Sequence, residues 1–536
     1  MNSKTNTSFL INFLDKNLET ISWGLYVVAA VLFIQGLRLM NSPKTARKGN
    51  KVSIIGMLLA VFVALFTTGY NKFETAVGLY AVLAGGIIGI VLGVLLGKNT
   101  KMTSMPQLVS LFNTVGGGAA ALVAINDIIN PAIQSFPKSG QAHGFVEVGT
   151  GVYNNTVLTF TPDNLAMIGK IDHVALITAI LGIFIGCITF TGSLIAAGKL
   201  QGILSGNAIK MPGCIIINIL CIVGALITGI MIFTNALHLK LFPEIVKLFP
   251  EIVHSIPLWK LVLLFAGFAL VLGIAFVLPI GGADMPVVIS VLNACTGTAV
   301  AMTGFVINNV VMIVAGALVG AAGAILSQLM AKAMNRSLVS VLVGGFGNST
   351  KISDADSGFS QQLKETSADD LAIQMIYAKK VIIAPGYGLA VAGAQHEIAE
   401  LTNLLEEKGV EVQFAIHPVA GRMPGHMNVL LAEASIPYEK LLDLDDANSQ
   451  LIQADVALVV GANDVTNPAA RRKGSSISGM PILNVDEAKN VTVIKRGQGK
   501  GYAGIENELY GLPQTSMLYG DAKKMVAEVV LAIKEL

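Results

Sequence analysis

The chain has 536 residues, of which 53% are hydrophobic and only 13% are charged. Ordinary soluble domains carry about 25% charged residues, so this composition excludes a wholly soluble globular chain. The net charge of +2 gives no reason to expect a nucleic-acid partner. The four cysteines lie in apolar runs without metal-ligand spacing, which argues against a metal site or a disulfide framework.

The long apolar runs lie before residue 331, whereas residues 351–536 have the composition of a soluble protein. A membrane-spanning helix needs about 20 apolar residues. Nine runs are candidates, at residues 21–40, 53–69, 75–97, 106–129, 172–197, 213–235, 258–280, 282–306 and 309–330. We therefore predict a polytopic α-helical membrane domain of about nine helices over residues 1–347.

Basic residues in the short loops predict the orientation of these helices. They follow the first, third, fifth and ninth helices, and examples are Lys44, Arg47 and Lys199. The alternate loop at residues 236–257 instead balances lysines against glutamates. The N-terminus is therefore predicted to lie outside, and the part that follows the membrane domain to lie in the cytoplasm.

Small residues recur at every fourth position of two predicted spans, which indicates close helix packing. These rows are Gly85, Gly89, Gly93 and Gly97, and Gly316, Gly320 and Ala324. The stretch NTVGGGAAA at residues 113–121 resembles a potassium-channel filter. It occurs once, inside a continuous helical run, so helix packing is the better interpretation.

Polar side chains within or beside the spans are candidates for proton movement, because each is costly in a bilayer without a partner or water. The candidates for the proton pathway or its coupling are Asn113, Asp284, Asn293 and Arg336. For each asparagine, a structural hydrogen bond is an equally good interpretation. Asp284 could simply lie at the inner membrane interface. Arg336 lies at the junction with the soluble half.

The soluble half is predicted to be a Rossmann-like α/β domain with a doubly wound parallel sheet, because strand and helix patterns alternate. A linker rich in Ser, Asp and Gln occupies residues 348–370, and the domain follows at residues 371–536. The predicted strands are 381–385, 411–417, 455–460, 482–485 and 491–495, and the predicted helices are 390–408, 426–434 and 520–535.

The first of these strands is followed by APGYGLAVAG, which resembles the glycine turn of a dinucleotide-binding unit. Gly386 suits a tight turn, and Gly388 suits the close approach of a pyrophosphate to the N-terminus of the next helix. Val391 stands where the usual pattern has glycine or alanine. By itself the motif is a signal of moderate specificity.

Charged residues near the strand ends favour NADP over NAD. The second strand ends in FAIHP at residues 414–418, where an NAD site normally has an acid. Lys495 and Arg496 follow another strand, and a Lys–Arg pair suits a ribose 2′-phosphate dianion. A solvated basic turn is the alternative interpretation.

Two further loops are candidates for nucleotide contacts. Residues 417–428 form a long turn before a helix, and residues 461–472 leave a strand at the carboxyl edge, where such sheets bind ligands. Asn463 and Asp464 are suited to bonding a carboxamide or a ribose. For Asp464, helix capping is the alternative.

Together these residues resemble the beta-subunit family of proton-translocating NAD(P) transhydrogenases, over nearly the whole chain. The most specific segments are GGADMPVV, GALVG, KAMNRS, PGYGLAVA, HPVAGRMPGHMNVLLAEA, GAND, NPAA, GYAG and GDAK. The resemblance implies that the soluble domain binds NADP(H), reversed relative to ordinary Rossmann domains, with closing loops at residues 461–468 and around Tyr502. The expected NADP(H)-binding residues are Gly386, Tyr387, Gly388, Val391, Ala392, Arg422, Gly425, Met427, Gly461, Asn463, Asp464, Lys495, Arg496 and Tyr502.

The resemblance also implies a reaction and its partners. The family passes hydride directly between NAD(H) and NADP(H) and couples this transfer to proton movement, so no acid, base, nucleophile or metal is expected. Because the chain has a single dinucleotide unit, NAD(H) is expected on a partner alpha subunit. Alpha–beta units are expected to pair as a dimer in the lipid of the bacterial plasma (inner) membrane.

One position departs from the family pattern, and two other classes of function remain open. Some members carry a histidine in the fourth of these helices as a proton carrier, whereas Asn113 stands here. A histidine on the alpha subunit could supply the relay, with Asn113, Asn293 and water completing it.

An ion transporter or channel with a regulatory nucleotide domain is the main alternative. A scaffold with a degenerate site is disfavoured by Gly386 and Gly388.

Overall fold

The structure is a computed structural model, and its description covers a defined set of residues. These are 2–40, 43–71, 76–100, 104–129, 152–153, 156–157, 173–205, 209, 213–236, 257–281, 284–334, 337–343, 363–421, 425–473, 475, 477–497, 501, 503 and 505–536.

Nine helices within the described residues are long and apolar enough to span a membrane. They are α1 (Asn2–Met40), α2 (Pro43–Asn71), α3 (Ala76–Asn99), α4 (Met105–Ile129), α5 (His173–Leu200), α6 (Cys214–Ala236), α7 (Leu258–Val277), α8 (Met285–Val306) and α9 (Val310–Ala333). The nine predicted spans are confirmed, and the chain is an integral membrane protein. Between α4 and α5, the short strands β1 (Val152–Tyr153) and β2 (Thr156–Val157) pair antiparallel.

Contacts between helix ends agree with the predicted alternation of helix direction. At the start of α4, Gln107 Nε2 donates to the Leu200 carbonyl at the end of α5, at 3.1 Å. The buried Lys199 ammonium donates to the Leu278 and Ile280 carbonyls just after α7, at 2.5 and 2.7 Å. The starts of α4 and α8 and the ends of α5 and α7 therefore share one end of the bundle.

Glycines allow direct backbone contact between several of these helices. A Cβ added at Gly297 would lie 2.4 Å from the Gly320 nitrogen, which brings α8 against α9. A Cβ at Gly117 would lie 3.0 Å from the Gly186 carbonyl oxygen on α5. These contacts confirm the packing interpretation of residues 113–121 and of the row that contains Gly320.

The second glycine row, on α3, has a different environment. For Gly85, Gly89, Gly93 and Gly97, no described atom lies within 4 Å of an added Cβ. Residues 80–99 are all exposed in the isolated chain. The expected close packing of this row is therefore not made by any described part of the chain, because α3 presents an open face there.

The soluble part is built on a six-stranded parallel sheet in the order β5-β4-β3-β6-β7-β8. The strands are β3 (Lys380–Pro385), β4 (Glu411–Ala415), β5 (Leu441–Leu442), β6 (Val456–Val460), β7 (Asn490–Lys495) and β8 (Thr515–Tyr519). Residues 456–460 are all buried, as expected for a strand that is covered on both faces. Strand order reverses between β3 and β6, and such sheets bind ligands at the carboxyl edge of that point.

Two hydrophobic cores cover the two faces of the sheet. Alternate residues of β3 enter opposite cores: Val381 and Ile383 on one side, Ile382 and Ala384 on the other. The helices after the membrane part are α10 (Leu338–Val343), α11 (Ala368–Ile376), α12 (Tyr387–Ala392), α13 (Gln395–Glu407), α14 (His426–Glu433), α15 (Leu444–Leu451) and α16 (Ala522–Glu535). This confirms the predicted Rossmann-like α/β domain.

Some predicted elements are wrong in detail. Residues 482–485 form no strand and lead into a 3₁₀ turn at Val485–Glu487, because Ile482 and Leu483 are buried beside the sheet without pairing in it. The predicted helix at 390–408 is divided at Gly393, whose φ of +64° is left-handed and ends α12. Strands β5 and β8 have no counterpart in the prediction.

The described end of the predicted linker is part of the soluble fold. Glu365 forms a parallel bridge with Met517 of β8, and the Ser367 hydroxyl accepts from the Asp370 nitrogen at 3.1 Å at the start of α11. We therefore group residues from 363 onward with the sheet. The domain division at 347 remains a prediction, since residues 344–362 lie outside the described set.

Candidate nucleotide-binding site

The candidate site begins where β3 and β6 end side by side. The Gly386 nitrogen donates to the Val460 carbonyl, and the Gly388 nitrogen to the Gly461 carbonyl, each at 2.9 Å. A Cβ at Gly386 would lie 2.4 Å from Ala462 Cα, and one at Gly388 would lie 2.6 Å from Gly461 Cα. Both positions require glycine because the turns after β3 and β6 touch through their backbones.

This contact gives a structural reason for glycine at both positions. Gly386 has a φ of −129°, which any residue can adopt, so its turn needs no special conformation. The Gly388 amide is already bonded to Gly461. Gly461 itself combines a left-handed φ of +69° with a Cβ position 2.4 Å from Gly388 Cα. The three glycines thus hold the two turns together.

Val391 departs from the usual fingerprint because no close helix–strand contact is made at its position. Its side chain is 48% exposed, whereas the preceding Leu389 and Ala390 are buried and supply the packing of α12. Tyr387 and Ala392 pack at the border of the same core. Valine is therefore accommodated at the third position of the motif without strain.

The loop after β4 is organised by a buried histidine. His417 Nε2 donates to the Pro481 carbonyl at 2.8 Å, and Nδ1 accepts from the Val419 nitrogen at 3.2 Å, which assigns the proton to Nε2. Burial lowers the pKa of His417 to about 4, although the bond to Pro481 acts in the opposite direction. The ring is therefore neutral at pH 7 and ties this loop to the segment before β7.

The remaining expected residues of this loop have mixed positions. Gly425 has a left-handed φ of +66° and begins α14. Met427 is fully buried in the hydrophobic core, so its side chain supports the loop. Arg422 lies outside the described residues.

The loop after β6 is held by Asn507, which sequence patterns did not single out. Asn507 Oδ1 accepts from the Leu509 nitrogen at 3.0 Å, so its Nδ2 is the donor to Asn463 Oδ1 at 3.2 Å. Tyr510 donates to the same Asn463 oxygen at 3.2 Å. Asn463 must therefore present its amide nitrogen elsewhere, and no described residue accepts from that nitrogen.

Asp464 joins the same loop to the residues after β7. Its Oδ2 accepts from the Ala503 nitrogen at 3.0 Å. A Cβ at Gly501 would lie 2.2 Å from Asp464 Oδ1, so glycine is needed at that crossing. The cap position of the following 3₁₀ turn is Asn463, so Asp464 is not the capping residue. Tyr502 lies outside the described residues.

Lys495 and Arg496 have different environments at the end of β7. Lys495 is half-buried, and its Nζ lies 3.3 Å from the Tyr510 hydroxyl and 4.5 Å from the Tyr510 ring centroid. Burial lowers the pKa of Lys495, whereas the Asp464 carboxylate raises it. Lys495 forms no ion pair with a described residue. Arg496 is 62% exposed and pairs with Asp521.

The polar candidates of the membrane part are only partly brought together. Asn113 is buried on α4, and its side-chain Nδ2 donates to the Ile289 carbonyl at 3.5 Å. The Asn113 backbone carbonyl accepts from the Thr296 hydroxyl at 3.4 Å. Asn293 lies on α8 between these two contacts. Asp284 occupies the N-cap position of α8 without a side-chain cap bond. Arg336 lies outside the described residues.

Comparisons with known proteins agree with this architecture. The family model described as NAD(P) transhydrogenase beta subunit matches residues 23–532. A curated protein of Rhodospirillum rubrum named NAD(P) transhydrogenase subunit beta is 42% identical over 517 residues, which cover 96% of this chain and 99% of the relative. A protein of the same name from a designated strain of that species matches with the same identity and coverage. The chain therefore belongs to the NAD(P) transhydrogenase beta-subunit family.

Proposed function

We propose that this chain binds NADP(H) at the carboxyl edge of β3, β6 and β7, and that it couples hydride exchange with NAD(H) to proton movement across the membrane. The observation that supports NADP(H) best is Lys495. It is a half-buried cation, without an ion pair among the described residues, at the last position of β7. A cation in that state is suited to a ligand phosphate.

The residues at the site fit NADP(H), because they include two cations for a phosphate and an amide donor for an oxygen. Lys495 and Arg496 would hold the 2′-phosphate, and the Asn463 amide nitrogen would donate to a ribose or carboxamide oxygen. Bound NADP(H) supplies the nicotinamide carbon that accepts or releases hydride. The chain itself would bind and orient the nucleotide and exclude water from it. Direct hydride transfer needs no protein acid or base.

The family membership carries further proposals about assembly. The subunit name of the relatives suggests an alpha-subunit partner, which we propose to hold NAD(H), and the alpha–beta units to form a dimer. We place the complex in the bacterial plasma (inner) membrane, with the N-terminus outside and residues 363–536 in the cytoplasm. Asn113, Asn293, Asp284 and Arg336 are the proposed residues of proton movement and coupling.

The test is the reconstituted activity. The chain and its alpha subunit would be co-expressed, and membrane vesicles assayed for hydride transfer from NADPH to an NAD⁺ analogue, with a pH-sensitive dye reporting proton movement. We expect transfer and proton movement to require both subunits. Ion flux through vesicles that contain this chain alone, without hydride transfer in the complex, would instead identify a transporter with a regulatory nucleotide domain.

A further inference from the structure

We propose that Tyr510 sets the preference for NADP(H) over NAD(H), by holding the Lys495 ammonium at the 2′-phosphate position and tying it to Asn463. This inference rests on the proposed NADP(H) function. Tyr510 belongs to the 3₁₀ turn at Glu508–Gly511 and was not singled out by any sequence pattern. It is a positioning residue, because it acts on the ligand through Lys495 and Asn463.

The first support is the position of the ring. The Lys495 Nζ lies 4.5 Å from the Tyr510 ring centroid, within the range of a cation–π contact. Tyr510 is only 8% exposed, so the ring is a fixed wall and not a mobile surface group. Because the Lys495 ammonium is half-buried beside this ring, few other positions are open to it. The ring therefore restricts Lys495 to one region at the end of β7.

The second support is the direction of the hydrogen bonds. The Lys495 ammonium can only donate, so it donates to the Tyr510 oxygen at 3.3 Å. The Tyr510 hydroxyl then uses its one proton toward Asn463 Oδ1 at 3.2 Å. This chain of donors fixes the Asn463 amide with its nitrogen turned away from Tyr510. A single hydroxyl thus orients two residues that are both expected to contact the ligand.

The third support is how the tyrosine is anchored. Asn507 is buried, donates to the Asn463 carbonyl at 3.0 Å and accepts from the Leu509 nitrogen, one residue before Tyr510. The 3₁₀ turn that carries Tyr510 is therefore held against the loop after β6. Burial raises the pKa of Tyr510, so the hydroxyl keeps its proton over the physiological range. The donor role is thus stable.

The test uses the full-length chain purified in detergent and calorimetric titration with NADP⁺ and NAD⁺ in parallel. Tyr510→Phe keeps the ring and removes both hydroxyl bonds, and we expect the ratio of NADP⁺ to NAD⁺ affinity to fall about fivefold. Tyr510→Leu also removes the ring and should reduce the ratio further. Tyr377→Phe, at an 86% exposed tyrosine that follows α11, is the matched control and should leave both affinities unchanged.

A double-mutant cycle separates positioning from general support of the fold. In a Lys495→Met background, Tyr510→Phe should change the affinity ratio no further, because the cation it positions is gone. Equal weakening of NADP⁺ and NAD⁺ binding by Tyr510→Phe would overturn the inference and leave NADP(H) binding intact as the function. A wild-type chain that binds both nucleotides equally would overturn the proposed NADP(H) function, and this inference with it.

Discussion

Arg496 and Asp521 form an ion pair beside the candidate site, with Arg496 Nη2 2.7 Å from Asp521 Oδ2. The other carboxylate oxygen of Asp521 accepts from the Lys523 nitrogen at 3.1 Å and caps α16. A 2′-phosphate that engages Arg496 must therefore compete with a carboxylate already bound to it. At the proposed phosphate site, the Asp521 carboxylate thus competes with the phosphate for Arg496, one of the two cations.

Asp521→Asn should tighten NADP(H) binding by about two- to tenfold, because the competing charge is removed while asparagine still caps the helix. NAD(H) affinity should not change, since NAD(H) has no 2′-phosphate. Parallel calorimetric titrations of the full-length chain measure both quantities. Equal tightening for the two nucleotides would show that Asp521 acts on the fold and not on Arg496.

Loss of Lys495 or Arg496 should reduce the difference in binding affinity between NADP(H) and NAD(H). We expect Lys495→Met to have the larger effect, because Lys495 is half-buried and has no ion pair with a described residue. Arg496→Gln should have a smaller effect, because Arg496 is exposed and already paired. Binding constants for both nucleotides in both variants give the comparison. The reverse order of effects would assign the main phosphate contact to Arg496.

Gly388→Ala should destabilise the contact between the turns after β3 and β6 by about 1–3 kcal/mol, because the new methyl group would overlap the Gly461 backbone. Hydrogen exchange of the β3 and β6 amides in the full-length chain measures local opening. Gly497→Ala is the matched control, since no described atom lies within 4 Å of a Cβ there. Similar exchange in the two variants would contradict the proposed requirement for glycine at 388.

Acid should destabilise the soluble domain through His417. The unfolded histidine binds a proton below about pH 6.5, whereas the folded one, with its pKa lowered to about 4, does not. The free energy of opening should therefore fall between pH 6.5 and 4, by on the order of 3 kcal/mol, and level off below pH 4. Hydrogen exchange of β4 as a function of pH measures this. His417→Gln should flatten that slope, and an unchanged slope would place the acid sensitivity in other groups.

Asp284→Asn should uncouple proton movement from hydride transfer, as proposed for an acid at the start of α8. Its side chain makes no cap bond to that helix, so an amide of the same shape should leave the helix intact. We expect normal assembly with the alpha subunit and normal NADP(H) binding, with strongly reduced proton pumping in vesicles. Wild-type pumping would leave Asp284 as an interfacial residue and direct attention to Asn113 and Asn293.

Features that depend on neighbouring residues in the sequence were predictable, and those that depend on distant ones were not. The apolar runs of the nine spans and the buried strands β3 and β6 needed no tertiary information. The contacts of Tyr510 with Lys495 and Asn463, which lie 15 and 47 positions earlier in the chain, left no local pattern. Strand β8 begins with Thr515 and Ser516, which are polar but buried, so its hydropathy concealed it.

The contact among Gly386, Gly388 and Gly461 has a consequence for how the gene can vary. Each of the three is already the smallest residue, so none can shrink to make room for a larger neighbour. Reversion of a damaging substitution at one of them therefore cannot come from a second change at the other two. In a genetic selection, suppressors should instead alter the length or path of the loops after β3 and β6, or restore glycine itself.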